Sequence, residues 1–287
     1  MIKVLAPAKI NLVLEILGKR HDGYHEIRSL VQAVNLCDII YFESDKDISL
    51  ECTEPVLQTR DNLVICAAEL LKKTCNYRYG ARIRLNKQIP WSAGLGGGSS
   101  DAAATLLALN KLWKLNLMPT DLLKLAAELG SDIPFFIHNG TALIEGSGEK
   151  VTPLPPASSL NWFVLLLTLS AQMPDKTKQA YSKLKKQHFS KGQYINKALK
   201  IWAENRELNP ALLFNAFDAI AFDIFPELKV YWESLEKAGA TNVHLAGSGP
   251  TLFAHVTNEK MGRDLCQRLG LHGFTACTVS TNIESGD

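Results

Sequence analysis

Apolar residues recur at two periods along this chain, and the period switches at a few punctuating residues. Residues 4–17 follow a strand-like pattern, interrupted at Pro7, and residues 36–43 and 48–51 also read as extended. Asp61 is placed to cap a helix carrying Leu63, Ile65, Ala67, Leu70 and Leu71 on its apolar side. Strict alternation over 81–85 predicts a strand with one wet face. Helices are predicted over 99–115 and 120–129, the second opening at a threonine cap and stopping at Gly130. Strand and hairpin are expected over 135–153.

Three prolines in four residues, within Pro153-Leu154-Pro155-Pro156-Ala157-Ser158-Ser159, suit neither a helix interior nor a central strand. A linker there predicts two domains, residues 1–152 and 160–287. The second half opens with a buried strand over 162–169. Helices follow over 176–187, 195–205 and 227–238. Residues 242–256 read as two strands joined by Gly247-Ser248-Gly249-Pro250, and a helix at 259–269 and a strand at 274–280 close the chain. The mixed order predicts an α+β fold rather than a doubly wound parallel sheet.

Composition enters mainly by exclusion. Hydrophobic residues make up 46% of the 287 and charged residues 21%, enough for an ordinary globular core. Lys plus Arg is 31 against 29 Asp plus Glu, a net charge of +2, so no basic stripe points to nucleic acid or a membrane surface. The longest apolar run, near 162–169, is far short of the ~20 residues of a spanning helix. Lys9 and Glu15 interrupt the stretch where a signal-peptide core would lie. Cys37, Cys52, Cys66, Cys75, Cys266 and Cys277 form no C-x-x-C pair and no zinc spacing, which predicts reduced thiols in a cytoplasmic protein without a metal-ligand cluster.

The chemistry concentrates in Pro90-Trp91-Ser92-Ala93-Gly94-Leu95-Gly96-Gly97-Gly98-Ser99-Ser100-Asp101, between a predicted strand and a predicted helix. Glycines allow positive φ and close backbone approach. A helix start offers unpaired N–H groups and the positive end of the macrodipole, which together suit a phosphate. Ser99 and Ser100 are placed to cap that helix and to reach a phosphate or magnesium-bound water. The stretch is neither a P-loop nor a Rossmann fingerprint nor a nucleophile elbow, because the required Lys or third Gly is missing. The plainer reading is a tight glycine turn.

Four other segments carry candidate groups, each with a plainer alternative. In Ala6-Pro7-Ala8-Lys9-Ile10-Asn11-Leu12, core-facing Ile10 and Leu12 would put Lys9 and Asn11 together on the opposite face; otherwise Lys9 is a solvated lysine on an edge strand. Asp22-Gly23 predicts a turn presenting Tyr24 and His25, a ring and an imidazole suited to a flat base; otherwise it is a surface turn. Asp132, between Gly130 and Pro134, is either a helix cap or a general base. The Gly247–Pro250 turn is a hairpin or a second backbone lip near phosphates. Gly146-Ser147-Gly148 reads as a hairpin loop and is assigned no chemistry.

Residues 90–103 resemble the phosphate-binding motif of the GHMP kinases. Residues 6–12, followed by Gly18-Lys19-Arg20-His21-Asp22-Gly23-Tyr24-His25, resemble the branch of that family whose acceptor is a methylerythritol unit on a cytidyl diphosphate. Asp61-Asn62-Leu63, residues 130–135, Phe225-Pro226-Glu227-Leu228 and residues 245–254 match in the same order. The resemblance implies two domains with the active site in the cleft between them, and transfer of the ATP γ-phosphate, with Mg²⁺, to a tertiary hydroxyl. It implies Lys9 and Asp132 as the catalytic pair and residues Pro90 to Ser100 around the ATP phosphates. Asn62 and Lys87 would lie near the adenosine, and Asn11, Tyr24 and His25 at the cytidyl substrate. It further implies a monomer or weak homodimer acting on a small molecule. Lys19, Ser92 and Ala246 depart from the family's common arginine, glycine and serine or threonine. Homoserine- or mevalonate-type acceptors, or a catalytically silent nucleotide-binding module, are the alternatives.

Overall fold

The structure is a computed structural model that describes residues 1–167 and 176–282. Two long antiparallel strands, β1 (Ile2–Lys19) and β2 (His25–Asp45), organise the first half. The turn between them falls where Asp22-Gly23 predicts it: Gly23 takes φ +91° and Asp22 Oδ1 accepts from the Tyr24 N–H at 3.0 Å. β1 runs through Pro7 instead of breaking there. The ladder slips between Pro7 and Ala8, and an irregular pairing tolerates a residue with no N–H to donate.

β3 (Ser49–Cys52) pairs parallel with β4 (Gly80–Asn86), which lies antiparallel to the far end of β2 from Ile39 onward. β5 (Thr141–Gly146) takes the near end of β2 at residues 27–32, and β6 (Lys150–Leu154) completes the hairpin. Among the described residues, 33–38 of β2 lie between these two pairings with no further strand beside them. The chain leading into the glycine-rich segment is tied there, the Gln88 and Ile89 N–H groups donating to Asp38.

Helices α1 (Leu63–Thr74), α2 (Gly97–Leu112), α3 (Pro119–Leu129) and α4 (Ile133–His138) cover the sheet. Four sequence expectations change here. Asn62, not Asp61, caps α1, its Oδ1 accepting from the Val64 N–H at 2.9 Å. α2 starts at Gly97 behind a left-handed Gly96, so Ser99 and Ser100 lie inside the helix and cap nothing. α3 starts at Pro119, so Thr120 is not its cap. Residues 135–138 are helical rather than extended, because Pro134 pre-sets a first helical turn and Phe135 and Phe136 both bury on one side.

The second half contains β7 (Trp162–Leu167), α5 (Lys176–Lys183) and α6 (Gln193–Asn205). The last two positions of the predicted 162–169 strand lie outside the described residues. Next come β8 (Phe214–Asn215), α7 (Ala221–Ile224) and α8 (Leu228–Lys237), then β9 (Val243–Leu245), β10 (Leu252–Val256), α9 (Glu259–Leu271) and β11 (Thr275–Ser280). β11, β7, β10 and β9 form an antiparallel sheet in that order. β8 instead pairs parallel with β1, at Val13 and Leu14, so the second half supplies a strand to the first half's sheet.

One core cluster joins the halves behind the glycine segment. Ile10 and Leu12 of β1 and Ala93 and Leu95 of the loop pack with Phe163, Leu165 and Phe253 of the second sheet. Burial of each large side chain contributes roughly 1.5–3 kcal/mol. Glu15, fully buried on β1, accepts from the Ile195 N–H at 2.8 Å in the first turn of α6, where the helix dipole favours a carboxylate.

Candidate active site

The glycine segment is bent by three left-handed residues: Ser92 (φ +58°), Gly94 (+87°) and Gly96 (+72°). Ser92, which has a Cβ, costs about 1 kcal/mol in that conformation. Gly94 is required for space as well as φ, because a Cβ there would sit 2.1 Å from the Ala246 carbonyl oxygen. A Cβ on Gly96 would meet Phe136 at 2.8 Å and the Lys9 stem at 3.1 Å. The segment is thus pressed between α4, β1 and the Gly247 turn. The first bond of α2 runs from the Ser100 N–H to the Gly96 carbonyl. The amides of Gly97, Gly98 and Ser99 therefore have no acceptor within the helix, as at any helix mouth.

β1 threads past this mouth. The Lys9 N–H donates to the Leu95 carbonyl at 2.9 Å, anchoring strand to loop. The Lys9 ammonium donates to Asn11 Oδ1 at 2.7 Å, and Asn11 in turn donates to Ser29 Oγ at 2.9 Å. Lys9 and Asn11 do share a face, as the alternation requires. Lys9 Nζ also lies 3.1 Å from where a Cβ of Gly247 would sit, so the ammonium stands beside the second glycine turn. That turn is held from behind: the Asn215 amide donates to the Leu245 and Gly247 carbonyls at 2.7 and 2.8 Å.

Asp132 lines the same cleft as Lys9, Asn11 and Ser29, with Phe135 and Phe136 as apolar wall. It stands at the N-cap position of α4, yet its side chain makes no capping bond. No direct ion pair joins it to Lys9 among the described residues. Burial pushes the Lys9 ammonium below its ordinary value, and the Asp132 charge opposes that shift.

At the β1–β2 turn, Tyr24 is exposed and His25 buried. The His25 ring lies 5.1 Å from Tyr181 of α5 and 5.9 Å from Phe189. Burial, then the charge of Lys19, lowers its pKa, so the imidazole is held neutral. Arg20 ties this turn together by bonds to Asp22 and Glu26 at 3.0 and 2.8 Å.

Asn62 and Lys87 flank the glycine loop but are already engaged. The Asn62 amide donates to the Leu57 carbonyl at 2.8 Å in addition to its cap. The Lys87 ammonium is buried between Asp38 and Asp101, and Asp38 also accepts from the Gln88 and Ile89 N–H groups at 2.6 and 2.9 Å. Lys87 therefore fixes the approach to the loop rather than offering free donors. Two residues near the site escape the sequence reading: Tyr181, whose hydroxyl is pushed up by burial and by the Asp132 charge, and Lys176. Both sit in the lysine-rich stretch 176–187, which the sequence marks only as a helix.

The GHMP kinases N terminal domain family matches residues 62–140, and the GHMP kinases C terminal family matches residues 195–271. A 4-diphosphocytidyl-2-C-methyl-D-erythritol kinase of Dehalococcoides mccartyi is 44% identical over 98% of both chains. Another, of Carboxydothermus hydrogenoformans, is 39% identical over 94% of this chain and 93% of its own. Among solved structures, a 4-(cytidine 5'-diphospho)-2C-methyl-D-erythritol kinase superposes with a TM-score of 0.82 at 32% identity, covering 97% of this chain and 98% of its own. The homoserine kinase of Cytophaga hutchinsonii shares the fold alone, at a TM-score of 0.72 and 20% identity, covering 99% of this chain and 95% of its own. With both halves matched and the relatives spanning nearly its whole length, the chain belongs to the GHMP kinase family.

Proposed function

We propose that this kinase transfers the γ-phosphate of ATP to the 2-hydroxyl of 4-diphosphocytidyl-2-C-methyl-D-erythritol, with Lys9 and Asp132 as the catalytic pair. One observation carries the assignment of roles. Buried Lys9 lies between the two glycine turns, its stem against Gly96 and its ammonium beside Gly247, while a carboxylate that makes no capping bond shares its cleft. Residues 1–152 and 160–287 would act as the two domains of a cytoplasmic monomer or weak homodimer. The six unpaired cysteines agree with a reducing compartment.

Phosphoryl transfer depends on positioning and charge neutralisation more than on covalent help. Residues Pro90 to Ser100 would wrap the phosphates, using the helix-mouth amides of Gly97, Gly98 and Ser99 and the dipole of α2. Lys87 would support the adenosine side by holding Asp101 at the end of that loop, and Asn62 would do so from the cap of α1. Asn11 would fix Lys9 through their hydrogen bond. Asp132 would orient the acceptor hydroxyl and take its proton as the bond to phosphorus forms. Tyr24 and His25 would hold the cytosine, the neutral imidazole by hydrogen bonding and the exposed ring by stacking.

Mg²⁺ fits the mouth of α2. Ser100 Oγ is buried there without a hydrogen-bond partner, and a hard cation takes oxygen ligands. Ser100, with Ser99 beside it, would hold the ion, which neutralises phosphate charge when bound with the nucleotide.

The test is ADP release with ATP and a panel of acceptors. The cytidyl substrate should exceed homoserine and mevalonate by at least about 10³-fold in kcat/KM. That margin reflects a site built to hydrogen-bond its substrate. Comparable rates with another acceptor would overturn the substrate assignment, and ATP binding without acceptor-dependent ADP release would mark a silent module.

A further inference from the structure

Lys176 opens α5 and is buried, yet it pairs with no carboxylate among the described residues. Its ammonium donates to two backbone carbonyls instead. One is Ser92 of the glycine loop, at 2.6 Å, and the other is Gly249 of the second glycine turn. These loops already touch. The Thr251 N–H donates to the Ala93 carbonyl at 3.2 Å, and Gly94 has no room for a Cβ against Ala246 and Gly249. Lys176 is the charged clasp across that seam, and it holds the carbonyl of the one strained non-glycine residue in the loop.

A second ammonium, Lys9, lies close enough to disfavour its charge. A buried cation beside another cation is costly unless anions come to the cleft. Phosphates at the two glycine turns would supply them.

We propose that Lys176 is a positioning residue for the nucleotide: it locks the glycine loop to the Gly247–Pro250 turn and so sets the phosphate cradle. The proposal rests on the reading that these turns hold ATP. It separates the two substrates, because Tyr24 and His25, assigned to the cytidyl group, lie at the β1–β2 turn and the Lys176 ammonium bonds only the Ser92 and Gly249 carbonyls.

The experiment measures kcat and both KM values for the wild type, Lys176→Met and Lys176→Gln. Loss of a doubly used, charge-assisted donor should raise the KM for ATP at least about tenfold in Lys176→Met. The KM for the cytidyl acceptor should stay within about twofold. Lys176→Gln, which keeps one neutral donor, should fall between Met and wild type; it also serves as the reading if Met does not fold. A lowered melting temperature with unchanged kinetic constants would mean a merely structural role and overturn the proposal. A parallel rise in both KM values would overturn it too. Failure of the wild type itself to release ADP with the acceptor would sink the proposed function instead, so the two failures are distinguishable.

Discussion

The glycine loop and the β1–β2 turn are built in opposite ways. At the glycine loop, backbone meets backbone: Gly94 against Ala246, Lys9 N–H on Leu95, Thr251 N–H on Ala93, with Asn215 and Lys176 fastening carbonyls from behind. At the β1–β2 turn, an exposed Tyr24 projects from a loop held by partly exposed ion pairs of Arg20. Under the proposed function, the first would position its ligand with main chain that has no slack. The second would recognise its ligand with side chains that can be changed one at a time. Substitutions at the first should therefore act abruptly, and those at the second should be graded and specific to one substrate.

Gly94→Ala should break the rigid loop most severely. The new Cβ would force apart two backbone segments, and a displacement of about 1 Å typically costs around 10²-fold in rate. Steady-state kinetics should show kcat/KM for ATP down by at least about 10²; a near-normal value would mean the loop tolerates movement. Tyr24→Ala should raise the KM for the cytidyl substrate about 10- to 100-fold, the worth of one base–ring stack, with the KM for ATP within about twofold. Equal losses for both would erase the contrast between loop and turn.

Alkaline pH probes the cations that serve the rigid loop. Burial, followed by the charge of Lys9, lowers Lys176 to about 8, and burial lowers Lys9 as well. A lysine with a lowered pKa loses its proton at lower pH than usual. The phosphate cleft should thus lose positive charge as pH rises through about 8, and the KM for ATP should climb several-fold by pH 9. The cytidyl KM should not follow it; a flat profile for ATP would contradict charged lysines in this role. Gly98→Ala should do least. Its Cβ would meet only Leu63 at 3.7 Å, so kinetics should stay within about twofold and the melting temperature should hold or rise slightly, since Ala exceeds Gly in a helix by about 0.5 kcal/mol or more.

Much of this site was legible in the sequence because period and punctuation carry it. Alternation alone puts Lys9 and Asn11 on one face, glycines before a helix mark the tight loop at the mouth of α2, and Asp22-Gly23 marks the turn that presents Tyr24. What tertiary packing decides was not legible. Asp132 reads equally as a helix cap, and only the structure shows that its carboxylate makes no capping bond. The partners of Lys87, Asp38 and Asp101, come from other elements and no local pattern names them. Lys176 stands with Lys178, Lys183, Lys185 and Lys186, and no local pattern distinguishes the buried member from the solvated ones. The two-residue error at the start of α2 has a local cause: a left-handed Gly96 takes the cap position that the serines seemed to fill.

The central claim is that Asp132 readies an alcohol while Lys9 and the glycine turns hold the phosphates it attacks. Single-turnover phosphoryl transfer in Asp132→Asn, with ATP and acceptor affinities measured on the same preparation, tests it most directly. The account predicts affinities within about twofold of wild type and transfer slowed roughly 10²- to 10⁴-fold, the range for loss of a positioned base. Transfer at the wild-type rate by a folded variant would contradict it.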